Sequence, residues 1–174
     1  AYDWRLSFPN LERRDRFFSR LRNTFELNLQ LHGKKSVLLA HSMGGNVAFY
    51  FLKWVEHEAG EGWVDKHVEG TTLIAGSMLG VPKAMSALSA GDTREIVDMP
   101  APVGRLFEHF FSPEERVALF RSLAGASSML IKGGNAVWGN DTWAPDDPPN
   151  ATVSYGRFFD YPSVYDNSTH TVVQ

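Results

Sequence analysis

The stretch that most restricts the fold of this chain is Ser36-Val37-Leu38-Leu39-Ala40-His41-Ser42-Met43-Gly44-Gly45-Asn46-Val47-Ala48. A short apolar run, one serine in a tight turn, and a helical pattern follow one another without spacer. That order matches a nucleophile elbow, in which a sharp strand-to-helix turn lifts a serine hydroxyl above the edge of a parallel sheet. The positions two before and two after such a serine approach each other, so small residues are expected there. Ala40 and Gly44 occupy them. The usual pattern has glycine at both, and Ala40 departs from it by one methyl group. The free N–H groups at the start of the following helix, with its dipole, would stabilise negative charge on a carbonyl oxygen. The Met43 backbone N–H is placed to give one oxyanion-hole donor. A plain strand–turn–helix with an incidental serine is the competing reading. The full spacing of a dinucleotide or P-loop motif is absent.

The segments after it extend the pattern. Val47, Tyr50, Phe51, Trp54 and Val55 mark the buried side of a helix running to about His57, and Gly60 to Gly62 break it. Thr71 to Ala75 form a β-rich run entering Gly76-Ser77. Strand, helix and strand make a βαβ unit with a right-handed crossover. In open sheets of this kind the active crevice lies at the carboxyl ends of the strands, where Ser42 and the loop from Gly76 to Pro82 meet. Upstream, Pro9-Asn10 offers a helix start, and Phe17, Phe18, Leu21, Phe25 and Leu29 recur at helical spacing through Leu11 to Leu31, with Gly33 as the stop. The arginines of this helix have acidic residues mixed among them and read as a solvated face. Asp3 and Arg5 read as a structural ion pair.

Beyond Lys83 the character changes. Ala84 to Val97 mixes small residues with Gly91, and Pro100 and Pro102 mark a loop. Ser112 caps a helix that starts at Pro113-Glu114-Glu115 and carries Val117, Phe120 and Leu123 as its stripe. Gly133-Gly134, Gly139 and the run from Pro145 to Pro149 complete a half poor in parallel-strand signals, which reads as a cap or lid over the sheet. The expected division is therefore 1–83, part of the core, and 84–174, a cap-like region. Three acceptor sequons, at Asn140, Asn150 and Asn167, favour exposed loops in the secretory pathway.

Bulk numbers exclude some classes. With 174 residues and 43% hydrophobic content the chain can bury a sizeable core. A net charge of -3 gives no basic footprint, so nucleic acid is not an expected partner. The absence of cysteine removes disulfides and thiolate metal sites. No apolar run approaches the ~20 residues of a membrane-spanning helix. The chain starts at Ala1 in mid-motif and reads as an internal fragment.

Several segments together resemble one family. Tyr2-Asp3-Trp4-Arg5-Leu6-Ser7-Phe8, His41-Ser42-Met43-Gly44, Leu79-Gly80-Val81-Pro82-Lys83-Ala84, and Lys132-Gly133-Gly134 with Val137-Trp138-Gly139 are similar, in this order, to the phospholipid:diacylglycerol acyltransferases of the lecithin:cholesterol acyltransferase family. Where many relatives have Gly-Gly-Pro, this chain has Ala75-Gly76-Ser77-Met78. The resemblance implies an α/β-hydrolase fold. It also implies transfer of a fatty acyl group from the sn-2 position of a phospholipid to diacylglycerol, through a serine acyl-enzyme at Ser42, with no metal or organic cofactor. The expected partners are a phospholipid donor, a diacylglycerol acceptor and a membrane surface, and the expected location is the endoplasmic reticulum membrane with the catalytic domain in the lumen. A lipase or phospholipase of the same fold, and a non-catalytic lipid-binding relative, remain as alternatives.

The triad of this fold runs serine, acid, histidine. The resemblance puts the acid in a Gly-Asp-Gly-Thr-like segment and the histidine further on, and neither segment occurs here. Asp92, Asp98, Asp141, Asp146, Asp147, Asp160 and Asp166 lack that context. His170 has the wrong order, His41 faces away from Ser42 in an extended strand, and His32, His57, His67 and His109 read as surface or structural residues. No acid or base is assigned from this chain, and the second oxyanion donor is expected upstream of Ala1. Residues 1–174 alone are accordingly expected to be inactive. Ester hydrolysis through Ser42 at enzymic rates by the isolated piece would contradict this.

Overall fold

The structure, a computed structural model, describes residues 1–92, 109–156, 160–162 and 169–171. They fall into two units, Ala1–Leu130 and Ile131–Gln174. In the first unit the order is α1 (Phe8–Asp15), α2 (Phe17–His32), β1 (Ser36–His41), α3 (Met43–Ala59), α4 (Trp63–His67), β2 (Val68–Ile74), α5 (Pro82–Ala90), α6 (Pro113–Ser122) and a 3₁₀ turn at Ala126–Met129. β1 and β2 pair in parallel, from Ser36 opposite Val68 to His41 opposite Ile74, with a register irregularity between Ser36 and Val37. The mixture of helix and a small parallel sheet is that of an α/β protein.

α3 forms because apolar residues recur every fourth position. Met43, Val47, Phe51 and Val55 are all buried and present one ridge to the rest of the unit. Against it pack Leu11 of α1, Phe18 and Phe25 of α2, and Trp63 of α4. The rings of Phe18, Phe25 and Trp63 lie 6.1, 5.8 and 6.0 Å from that of Phe51. Full burial of one such side chain stabilises by about 1.5–3 kcal/mol, and ring packing adds about 0.5–1.5. The opposite face of the sheet is open: Val37, Leu39 and Ile74 are 50–64% exposed, whereas Leu73 turns to the α3 side, its Cδ2 3.7 Å from a Cβ placed on Gly45.

The helix expected as one element from Leu11 to Leu31 is two. Arg16 takes a left-handed conformation, φ 51°, and separates α1 from α2. The Glu12 carboxylate offsets the cost of the break by accepting from the N–H and hydroxyl of Ser19 in the first turn of α2. Burial pushes the Glu12 carboxyl up, but the Ser19 and Arg16 hydrogen bonds outweigh it and hold it below its usual value. Asp3 and Arg5 pair as expected, with Nε–Oδ1 at 2.8 Å, and Arg14 of α1 joins them at 2.9 Å. Hydrogen bonds from Arg5 chiefly, then Arg14, hold the Asp3 carboxyl well below the usual carboxylate range. The opening segment is thereby tied to α1.

α6 starts as expected, with a full capping box between Ser112 and Glu115. α5 lies in a stretch whose small residues give no apolar stripe; it buries only Ala84 and Ala87. The units divide between Leu130 and Ile131, so α5 and α6 stand with the sheet, downstream of Lys83. In the second unit α7 (Gly134–Trp138) is followed by an antiparallel pair, β3 (Asp160–Pro162) and β4 (Thr169–Thr171).

Two glycines differ in kind. A Cβ on Gly44 would meet the Tyr2 hydroxyl at 3.9 Å and the Ala40 Cβ at 4.0 Å, ordinary contacts. One on Gly45 would stand 3.2 Å from the Gly76 Cα, against backbone that cannot swing away. The approach anticipated between positions 40 and 44 thus has room to spare, and the tight one is at 45. Gly44→Ala is expected to be neutral or to gain part of the ~1 kcal/mol helix-propensity difference. Gly45→Ala is expected to lose about 1–3 kcal/mol by overpacking, whatever it gains in propensity. Equal urea midpoints for the two variants would show that this contact does not constrain the fold.

Candidate active site

Ser42 is the single residue between β1 and α3. Its φ of 53° and ψ of -127° lie outside the regions that side chains favour, and holding a residue there costs on the order of 1–3 kcal/mol. Two backbone bonds keep it in place: the Ser42 N–H donates to the Ile74 carbonyl of β2 at 2.9 Å, and the Gly45 N–H donates to the Ser42 carbonyl at 2.9 Å. Serine is a favoured helix cap, yet this hydroxyl makes no capping bond to α3. It is half-buried and belongs to the residue that precedes a 17-residue helix, whose first two N–H groups, those of Met43 and Gly44, have no carbonyl partner among the described residues. Partial positive charge therefore collects where the hydroxyl is.

The loop after β2 closes over this turn. Ala75 is left-handed with φ 47°. Gly76 and Met78 lie against Gly45, with the Met78 Sδ 3.8 Å from a Cβ placed there. Ser42 and the Gly76–Pro82 loop thus come together at the carboxyl ends of the two strands. Tyr2, from the opening segment, reaches the same turn beside Gly44, and burial pushes its phenol up, so it stays neutral.

Two polar residues of this region carry no signal in the sequence. Asn46 is 7% exposed, one turn along α3 from Ser42. Its Nδ2 donates to the Ser128 carbonyl at 2.9 Å, while its Oδ1 is buried with no partner among the described residues. Ser77 is buried, and its hydroxyl also finds no partner among those residues. A polar residue at i+4 from Ser42, on the ridge side of α3, was the only available hint.

Within the first unit the histidines singled out by the sequence lie apart from the Ser42 turn or face away from it. His41, as alternation requires, is exposed, as are His32, His57 and His109. His67 is buried, its Nδ1 at 2.8 Å from the Trp63 carbonyl and its ring stacked on Trp63. Asp92 lies two residues beyond the end of α5, and His170 belongs to β4. Asp147 accepts the Ala144 and Tyr155 N–H groups, a loop-fixing role. In the second unit Asn140 accepts from Thr142 and Trp143 in a tight turn, and Asn150 is exposed. Asp98, Asp166 and Asn167 lie outside the described residues. Among the described residues there is no cluster of three metal-ligating side chains, and no helix is long and apolar enough to cross a membrane.

A mixed α/β unit with a strained serine at a strand–helix junction defines the class. Residues 1–173 match the family described as lecithin:cholesterol acyltransferase, and the chain belongs to that family. It is 44% identical over 165 residues to the phospholipid:diacylglycerol acyltransferase of Schizosaccharomyces pombe, covering 92% of this chain and 26% of that protein. The Saccharomyces cerevisiae protein of the same name is 42% identical over 165 residues, with 91% and 25% covered. The lysosomal phospholipase A and acyltransferase of Bos taurus is 37% identical over 95 residues, with 55% and 22% covered. The chain thus spans about a quarter of the length of these relatives.

Removal of the Asn46 side chain removes its part-buried hydrogen bond to the Ser128 carbonyl. Asn46→Ala is expected to lose about 1–3 kcal/mol, read as a lower urea midpoint at unchanged slope. An unchanged midpoint would mean that the bond contributes nothing net.

Proposed function

We propose that the protein is an O-acyltransferase that moves a fatty acyl group from the sn-2 position of a phospholipid to diacylglycerol, forming triacylglycerol and a lysophospholipid, with Ser42 as nucleophile. The observation that carries this reading is the backbone of Ser42, held at positive φ with its hydroxyl uncommitted at the start of α3. On this reading Ser42 is the serine of a nucleophile elbow in an α/β-hydrolase domain. The open face of β1 and β2 is where further helices of that domain pack, since parallel sheets are covered on both faces. Residues 1–83 then belong to the core and 84–174 to a cap-like region.

The Ser42 Oγ attacks the ester carbonyl as its proton passes to a histidine. The tetrahedral oxyanion is held by the Met43 N–H and a second backbone donor. The C–O bond to the glycerol breaks, and the lysophospholipid leaves with the histidine's proton. The diacylglycerol hydroxyl then attacks the acyl-enzyme, its proton goes to the same histidine, and Ser42 is released as the hydroxyl. The histidine and its carboxylate are assigned to the part of the protein outside these residues. Binding of both lipids at a membrane surface, with the domain in the endoplasmic reticulum lumen, fits the exposed sequon at Asn150 and the turn at Asn140.

The full protein in membranes, given phospholipid labelled in its sn-2 chain and unlabelled diacylglycerol, is expected to place label in triacylglycerol. Ser42→Ala is expected to reduce this by about 10³-fold or more. Label found only in free fatty acid would make the protein a phospholipase, in keeping with the two activities in the name of its Bos taurus relative. For location, endoglycosidase treatment is expected to raise the mobility of the full chain, with a smaller step in Asn150→Gln. No step in either would place the domain outside the lumen.

A further inference from the structure

α5, α6 and the 3₁₀ turn enclose a cavity of about 280 Å³. Trp4, Val81, Ala84, Ala87, Phe120 and Met129 contribute to its wall, and among the described residues Lys83 is the one charged side chain in the lining. The space exists because α5 turns two alanines inward. Ala84 and Ala87 share one face of the helix and are 8% and 7% exposed, but methyl groups reach too little of the way to Phe120 and Met129 to fill it. A cavity lined this way holds water poorly and takes an apolar guest. Its volume lies just under the roughly 300–1,000 Å³ of small-molecule sites, which suits one hydrocarbon tail rather than a whole lipid.

The cavity is built onto the Ser42 turn. The 3₁₀ turn that supplies Met129 is fixed at three points: the Ser128 carbonyl accepts from Asn46 of α3, the Met129 carbonyl accepts the Val81 N–H at 2.9 Å, and the Gly125 N–H donates to the Arg5 carbonyl at 3.2 Å. Gly125 has no alternative here, because a Cβ would collide with the Trp4 carbonyl oxygen. Following the covalent path from Ser42 one turn along α3, through the Asn46 side chain and its 2.9 Å bond, puts the Met129 Cα within about 15 Å of the Ser42 Cα. Trp4, at the rim, is 52% exposed, so the cavity communicates with solvent.

We propose that this cavity binds the fatty acyl chain whose ester is presented to Ser42, and that Ala84 and Ala87 set the length of chain accepted. The assignment rests on the acyl-transfer reading above. A hydrocarbon chain meets all three features: a wall apolar but for Lys83, room for a single tail, and a tether between the cavity wall and the helix that begins after the serine. Asn46 is on this account a positioning residue, joining the helix that bears Ser42 to the cavity wall.

The test uses the full-length protein and two readouts. The first is binding of a fluorescent fatty-acid analogue displaced by oleate, measured in a Ser42→Ala background so that no turnover intervenes. The second is the ratio of oleoyl to octanoyl transfer from matched phospholipids. Ala87→Phe fills the cavity and is expected to weaken probe binding, and lower the oleoyl-to-octanoyl ratio, by at least about tenfold. Ala84→Leu is a milder filling variant should Ala87→Phe not fold, and Leu123→Ala, which widens the wall, is expected to raise the ratio. Asn46→Ala is expected to change the ratio as well as the stability, which a merely structural contact would not do. Weakened binding in the filling variants of a protein that forms no triacylglycerol would support the cavity assignment while overturning the acyl-transfer reading. Parent-like binding and ratio in both filling variants would overturn the proposal. So would a parent that binds no probe and gains thermal stability when the cavity is filled, since the space would then be a packing defect or a seat for another segment of the chain.

Discussion

The close approach of α3 to the end of β2 is the constraint on which the rest of the first unit depends. A helix can start one residue after a strand only if the linking residue turns sharply, and Ser42 does so at a backbone conformation that opposes its side chain. Such strain persists where the surroundings over-determine it. Here the Ile74 carbonyl takes the Ser42 N–H, while the absence of a side chain at Gly45 lets α3 settle to within ordinary contact of Gly76. The buried ridge of Met43, Val47, Phe51 and Val55 then anchors the helix in the core. Burial of that ridge is worth several kcal/mol, more than the strain at one residue, so packing wins and the serine stays where no isolated turn would keep it.

Electrostatics at this junction follows from what the serine leaves undone. A capping hydroxyl would satisfy a helix N–H and spread the charge of the helix terminus. Because Ser42 makes no such bond, the N–H groups of Met43 and Gly44 keep their unmet demand, and that demand is available to an anion forming beside them. The same arrangement lowers the stability of an empty helix start and raises its affinity for developing negative charge. A buried hydroxyl at Ser77 and the buried Oδ1 of Asn46, both without partners among the described residues, add to a region whose polar groups are under-satisfied.

How much of this was legible depends on the range of the forces involved. α3 and β1 were readable because their periodicities are local, and the cap at Ser112 because a capping box is a four-residue affair. The break at Arg16 was not, since an arginine carries no left-handed preference and the compensation comes from a Glu12–Ser19 bond that exists only once two helices cross. α5 was missed because it buries methyl groups, which leave no stripe. Ser42 could be found from its neighbours. Asn46 could not, because its partner lies 82 residues away, a separation that no spacing rule spans.

That same separation explains why a site can be built from so few legible parts. The serine and its helix are specified locally, so they tolerate change elsewhere. The wall opposite is specified by α5, α6 and a 3₁₀ turn whose sequence is small and irregular, and it is tied to α3 by the Asn46 side-chain bond and by packing of Met129 on the core. Substitutions in α5 alter the volume behind the wall without touching the turn at Ser42, because no residue of α5 contributes to the bonds that fix that turn. The conformation of Ser42 and the shape of the cavity are therefore separable in this fold, with Asn46 as a hydrogen-bonded contact between them.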